Sequence, residues 1–349
     1  MNIHAPYVHG GDIYRNRVTL DFSVNVNPLG MPDKVKAAVI EAAEHLDAYP
    51  DSYCGALRRR LAEVLHTDMD WILCGNGAAE LIYQLVMAFQ PKKVLLPVPS
   101  FADYEAALSA VGCSPSYYPL RREEGFIITE RILSFISEQT DMLMLCNPNN
   151  PTGKLIERDL LERILERCRE TGTLLFVDEC FGELTDEETP SLLNVLRPGD
   201  RVFLLRAFTK IYSMAGLRLG YAICPEQEMV DRICLQSQPW NVSSLAQAAG
   251  VAALDCEGWG ERTRALIREE KRYLVQELEK MGISVLHSDV NFLLLSGVPG
   301  LYEKLLRKGI LIRNCDNYHG LGEGDCRIAV RTHEENEALI KAIQEVFHG

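Results

Sequence analysis

The sequence predicts an α/β protein in which a mostly parallel sheet is covered on both faces by helices and followed by a smaller α+β unit. The first observation behind this is alternation. Short apolar runs at 94–96, 142–145, 174–177, 202–205 and 221–223 are separated by helical stretches such as 157–170, the texture of a parallel sheet whose strands are buried on both sides. The second is a change of texture near Ser243, after which long helices at 246–254 and 261–281 give way to short strands and a closing helix at 334–347. The third is size: 349 residues with 47% apolar content can bury the cores of one large and one small domain. The expected divisions are an N-terminal arm at 1–30 that packs with the small domain, a large domain at 31–240, and a small domain at 241–349.

Four segments carry chemistry, in chain order. Residues 71–89 read as a short strand, a glycine turn and a helix whose apolar positions Leu81, Ile82, Leu85, Val86 and Phe89 follow helical spacing. The first-turn amides of Gly77, Ala78 and Ala79 are expected to be free to cradle a phosphate at the positive end of that helix. The run CNPNNPTG, from Cys146 to Gly153, follows a strand and contains two X-Pro bonds and a glycine. Such a stiff loop suits the presentation of the Asn150 amide to a ligand oxygen, although a purely structural turn is the plain alternative.

In LLFVDECFGEL, four apolar residues run into Asp178 at the C-terminal end of a buried strand, where open α/β sheets place their ligands. A buried carboxylate there needs a cation, unless it merely caps the following turn. The run AFTKIYSMAGLRLGY then sets Lys210 eight residues before Arg218 in a glycine-punctuated turn. Surface positions for both are the alternative, but the pair looks like the anchor of pyridoxal 5′-phosphate (PLP), with a lysine to form the imine and an arginine to hold the phosphate. On that reading Asp178 pairs with the pyridinium nitrogen and Asn150 meets the phenolate oxygen.

Composition bounds the alternatives. A formal net charge of −13 argues against a nucleic-acid partner. Eleven cysteines without a CxxC motif, and no secretory or transit segment before MNIHAPYVHGG, predict reduced thiols in a cytoplasmic protein with neither a disulfide framework nor a metal site. No apolar run is long enough for a membrane span. A full GxGxxG and a Walker lysine motif are both missing, so nucleotide-binding readings have little support.

Together, the four segments resemble the fold-type I PLP enzymes of the aspartate aminotransferase superfamily over nearly the whole chain. The resemblance implies a large, mostly parallel, seven-stranded sheet domain, with Lys210 as Schiff-base lysine and Asp178 on the pyridine nitrogen. It further implies Asn150 on the ring oxygen, Arg218 and Thr209 on the phosphate, Phe101 stacked on the ring, and Tyr49 reaching the cofactor phosphate of the other subunit of a homodimer. Ala207 departs from the pattern, standing where a hydroxyl residue usually binds the phosphate; the missing hydrogen bond costs about 1 kcal/mol if that group stays unsatisfied.

PLP labilises any bond at the substrate Cα, so the reaction must be read from the substrate side. Arg327 matches the arginine that holds the substrate α-carboxylate, and Arg313 the one that serves a distal phosphate in two subfamilies, the histidinol-phosphate aminotransferases and the threonine-phosphate decarboxylases of cobalamin synthesis. The opening HGGDI and LDFSVNVNPLG, with Phe181 where a transaminase of the superfamily normally carries tyrosine, resembles the decarboxylases more closely. His9, Gly10, Gly11 and Asn25 are then implied to help close over a small phosphorylated amino acid, threonine phosphate first and serine phosphate as a near alternative. A non-catalytic binding protein on the same scaffold is weakened by the retained Lys210. The glycine-rich loop at 319–325 reads as a mobile connection.

Overall fold

A computed structural model of the chain describes residues 9–185 and 189–348. Its centre is a seven-stranded sheet in the order Ile72–Asn76, Leu219–Ile223, Val202–Ala207, Leu174–Asp178, Met142–Cys146, Val94–Val98, Ser116–Pro119. Leu219–Ile223 runs antiparallel to both neighbours, and every other pairing is parallel. Of the three central strands, Met142–Cys146 and Leu174–Asp178 are buried throughout and Val202–Ala207 at every residue but Arg206, because alternate side chains enter two different cores. Leu143, Leu145, Leu175, Val177 and Leu204 meet the helices Gly55–Leu65, Arg158–Thr171 and Ser244–Leu254. Met142, Met144, Phe176, Phe203 and Leu205 meet the helices Ala78–Phe89 and Ala102–Ala110.

A separate antiparallel sheet has the order Arg313–Asn314, Cys326–Ala329, Phe292–Ser296, Ser284–Leu286. Its core is shared with the helices Trp259–Lys280, Leu301–Arg307 and His333–His348. The strand Leu20–Asp21 pairs in parallel with Ile310–Leu311, which fastens the N-terminal segment to this part of the molecule. No helix among the described residues is long and apolar enough to cross a membrane.

Two features differ from the sequence reading. The edge strand Ser116–Pro119 is not among the expected apolar runs, because only Tyr118 of its four residues is buried. The loop at 319–325 is pinned rather than a mobile connection. Asp325 accepts from Arg122 Nη2 at 2.6 Å, His319 lies 3.3 Å from Glu105, and Val298 N–H donates to the Gly324 carbonyl.

Candidate active site

Register brings the site together. Met142–Cys146, Leu174–Asp178 and Val202–Ala207 are parallel and in step, with Cys146 opposite Asp178, so their C-terminal ends open into one crevice. Of the residues singled out in the sequence, Ala78, Ala79, Phe101, Asn150, Asp178, Thr209, Lys210 and Arg218 line a single pocket there, together with Ala207 and Phe181.

Asp178 is buried, and each of its carboxylate oxygens accepts one hydrogen bond from the protein. Its Oδ2 accepts from the Tyr104 hydroxyl at 2.6 Å and its Oδ1 from the Cys180 N–H at 2.9 Å. Burial, followed by the Asp178 charge, holds the Tyr104 phenol well above its ordinary pKa, so tyrosine remains the donor. Tyr104 escaped the sequence reading. The available signal was its place three residues after Phe101, whose ring it meets edge-on at 5.6 Å between centroids.

Lys210 lies in the four-residue helix Phe208–Ile211 directly after its strand. Its amine is pushed down to about 8, first by burial and then by the Arg327 guanidinium, against the opposing pull of Cys180 and Asp178. The Nζ stands 5.2 Å from the centroid of the Phe181 ring, which offers no hydroxyl.

The Arg218 end of the pocket depends on close backbone approach. Gly77 has φ +80°, and a Cβ there would come within 2.4 Å of Arg218 Nη2. Gly220 is equally constrained, since a Cβ would meet Ala78 N at 2.5 Å. One expectation needs correction: the Gly77 N–H is not free, because a tight turn centred on Asn76 folds it back onto the Gly75 carbonyl at 2.8 Å. Gly77 therefore contributes the space that Arg218 fills, while Ala78 and Ala79 stand at the helix start, where amides have no partner within the helix.

Arg327 donates to Asn150 Oδ1 and, at 2.9 Å, to the Ser23 carbonyl. With its oxygen taken by the guanidinium, the Asn150 amide keeps its Nδ2 hydrogens for a ligand. Arg313 is the direct cross-strand partner of Arg327 in the small sheet, and both are buried. Like charges directly opposite on a sheet repel, so an anion placed between the two guanidiniums would lower their energy.

The arm approaches the same region. His9 Nε2 is 3.3 Å from Asp103, which also lines the pocket. Gly11 N–H donates to Ser23 Oγ at 2.7 Å, and Gly10 lies so close to the Ser23 carbonyl that a Cβ would be 2.4 Å from it. Asn25 is buried, and its Oδ1 has no partner among the described residues. Tyr49 is the one singled-out residue set apart from this group. It is 78% exposed and stacks on Trp240 at 4.4 Å between centroids.

This donor set matches PLP: an acid with a fixed orientation, a shielded lysine, an aromatic wall at Phe101, and an arginine beside a helix start. Comparison with known proteins agrees. The model of the family "Aminotransferase class I and II" matches residues 17–343. Threonine-phosphate decarboxylase of Salmonella typhimurium is 37% identical, over 98% of this chain and 97% of that protein. The structure of histidinol-phosphate aminotransferase from Clostridium acetobutylicum is 30% identical with a TM-score of 0.88, covering 94% of this chain and 99% of that one. That of L-threonine-O-3-phosphate decarboxylase from Porphyromonas gingivalis is 27% identical with a TM-score of 0.83, covering 95% and 100%. On the extent of these matches, the chain belongs to the aminotransferase class I and II family.

Proposed function

We propose that this protein is a PLP-dependent decarboxylase of a phosphorylated amino acid, L-threonine O-3-phosphate above all, giving (R)-1-aminopropan-2-yl phosphate for cobalamin synthesis. The observation that carries this is the buried cross-strand pair Arg313 and Arg327, which offers two anion sites side by side next to Lys210 and Asn150. A substrate with a carboxylate at one end and a phosphate at the other uses both. Two curated relatives at 37% identity carry the threonine-phosphate decarboxylase name, one of them as putative.

When bound, PLP supplies an electron sink for the pair left at Cα as CO₂ departs. Asp178, oriented by Tyr104, would keep the pyridine nitrogen protonated. Asn150 Nδ2 would donate to the ring oxygen, while Arg218, Thr209 and the amides of Ala78 and Ala79 would hold the cofactor phosphate. Lys210 Nζ, with a pKa of about 8, exchanges a proton readily near neutral pH and so suits the return of a proton to Cα. Arg327 orients the carboxylate; Arg313 holds the substrate phosphate from substrate to product. The arm residues His9, Gly10, Gly11 and Asn25 close the site.

In this reading the active unit is a cytoplasmic homodimer, with Tyr49 extending to the partner's cofactor, and the chain divides into 1–30, 31–240 and 241–349. The exposed Tyr49 and Trp240 stack supports the dimer. Histidinol-phosphate transamination is the second reading, favoured by the likeness to the Clostridium acetobutylicum structure. One assay separates them. The holoenzyme is incubated with threonine phosphate, serine phosphate, or histidinol phosphate plus 2-oxoglutarate, and CO₂ and glutamate are measured separately. CO₂ from threonine phosphate is expected; glutamate from histidinol phosphate without any CO₂ would overturn the decarboxylase reading.

A further inference from the structure

Between the strands that carry Arg313 and Arg327 lies a loop whose one large aromatic residue, Tyr318, is buried. The Arg313 guanidinium sits 5.1 Å from the centroid of the Tyr318 ring, and its Nη2 donates to Asn317 Oδ1 at 3.0 Å. Tyr318 also lies within the influence of the other arginine. Burial raises its phenol, and Arg327 followed by Arg313 pulls against the rise. Tyr318 thus lies against the Arg313 guanidinium and within electrostatic reach of Arg327, whose own guanidinium stands 5.3 Å from the centroid of the Phe292 ring.

The loop has little freedom to shift. Tyr318 N–H donates to the Cys315 carbonyl and Leu321 N–H to the Tyr318 carbonyl, each at 3.1 Å. Beyond the ring, His319 reaches Glu105 and Asp325 is clasped by Arg122, which also donates to Ser296 Oγ at 2.7 Å. Tyr318 lines a small cavity with Ser100 and Phe101, and Phe101 is also a wall of the main pocket. The aromatic platform is therefore fixed to the same framework as the cofactor pocket.

Two guanidiniums on adjacent strands repel and, left alone, spread apart. A ring face beneath one of them attracts it, and the bulk of the ring closes off the rotamers that would carry it away. We propose that Tyr318 is a specificity-determining residue that fixes the separation of the Arg313 and Arg327 guanidiniums, and so selects how far apart the two anionic ends of a substrate may lie. The inference rests on the assignment of these arginines to a phosphate and a carboxylate.

The test uses non-hydrolysable probes of graded length on the holoenzyme: L-2-amino-3-phosphonopropanoate, L-2-amino-4-phosphonobutanoate and L-2-amino-5-phosphonopentanoate, each titrated by the change in the cofactor's visible spectrum. The phosphonobutanoate spans the same number of atoms as a β-phosphate ester. It should bind the wild type tighter than the other two by on the order of tenfold. Tyr318→Leu should compress the three affinities to within about threefold, whereas Tyr318→Phe, which retains the ring, should keep the wild-type order. A Tyr318→Leu protein with the wild-type preference, or a wild type with no preference, overturns the role of Tyr318. Failure of all three probes to bind the wild type would instead refute the two-anion assignment on which the proposal stands.

Discussion

An ordinary lysine amine is almost wholly protonated at pH 7 and inert as a nucleophile; Lys210, brought down to about 8, has roughly a tenth of its population in the free-base form. Uptake of PLP by the apoprotein should therefore accelerate with pH and level off above about 8 instead of near 10.5, as followed by stopped-flow absorbance. The same lowered pKa has a stability consequence. Between pH 8 and 10.5 the unfolded chain binds more protons at this residue than the folded apoprotein, so its contribution to stability rises with pH across that window. Lys210→Ala should lose all turnover and all PLP fixable by borohydride; covalent fixation in that variant would show that another lysine is the anchor. For the arginines, a decarboxylase is expected to grip the departing carboxylate more loosely than the phosphate that persists into product. Arg313→Ala should accordingly weaken threonine phosphate binding more than Arg327→Ala, by a loss on the order of 2 to 4 kcal/mol, with equilibrium titration as the check. That Lys210, Asp178 and Arg218 would converge on one pocket was legible in the sequence, because the chemistry expected there admits few side-chain types. Tyr104 was not, since its ring reads as core and its hydroxyl meets a carboxylate 74 residues away.

At the scale of elements, burial decides what sequence reveals. The central strands are covered on both faces, so their apolar runs stand out, whereas Ser116–Pro119 buries one residue of four and leaves no such mark. The helix start at Ala78 was visible from spacing, but the turn before it was only half read. Its glycine matters for the side chain it admits more than for an amide it offers. Gly77→Ala would place a methyl group at a backbone conformation close to glycine-only and against the mobile end of Arg218. Because that end can swing aside, the expected loss falls on the cofactor: PLP affinity down about tenfold with the fold retained, measured by fluorescence quenching and far-UV circular dichroism. Unchanged PLP affinity would remove Arg218 from the phosphate. Pinning of the loop at 319–325 was equally hidden, because glycine content signals a turn and says nothing of contacts to Arg122 and Glu105 made across long sequence separations.

The whole molecule joins two sheets and an N-terminal segment around one crevice, and several of its contacts run between distant parts of the chain. Arg327 touches Asn150 and Ser23, and His9 touches Asp103, so large sheet, small sheet and arm all border the site. Alternation along the sequence was enough to anticipate the large sheet, and the family resemblance supplied the pairing of roles that spacing alone leaves open. If Tyr49 completes the partner's site, activity per chain should fall on dilution in step with dissociation of a two-fold dimer, as judged by sedimentation alongside the assay. A fully active monomer would remove Tyr49 from the site. The central claim is the reaction itself, and the most direct measurement is turnover of carboxyl-labelled threonine phosphate by the holoenzyme with no 2-oxo acid present. A decarboxylase regenerates its cofactor at every cycle, so many equivalents of labelled CO₂ per active site are expected. A transaminase under the same conditions stops after a single equivalent with its amino group left on the cofactor, and that outcome, with no labelled CO₂, would contradict the account.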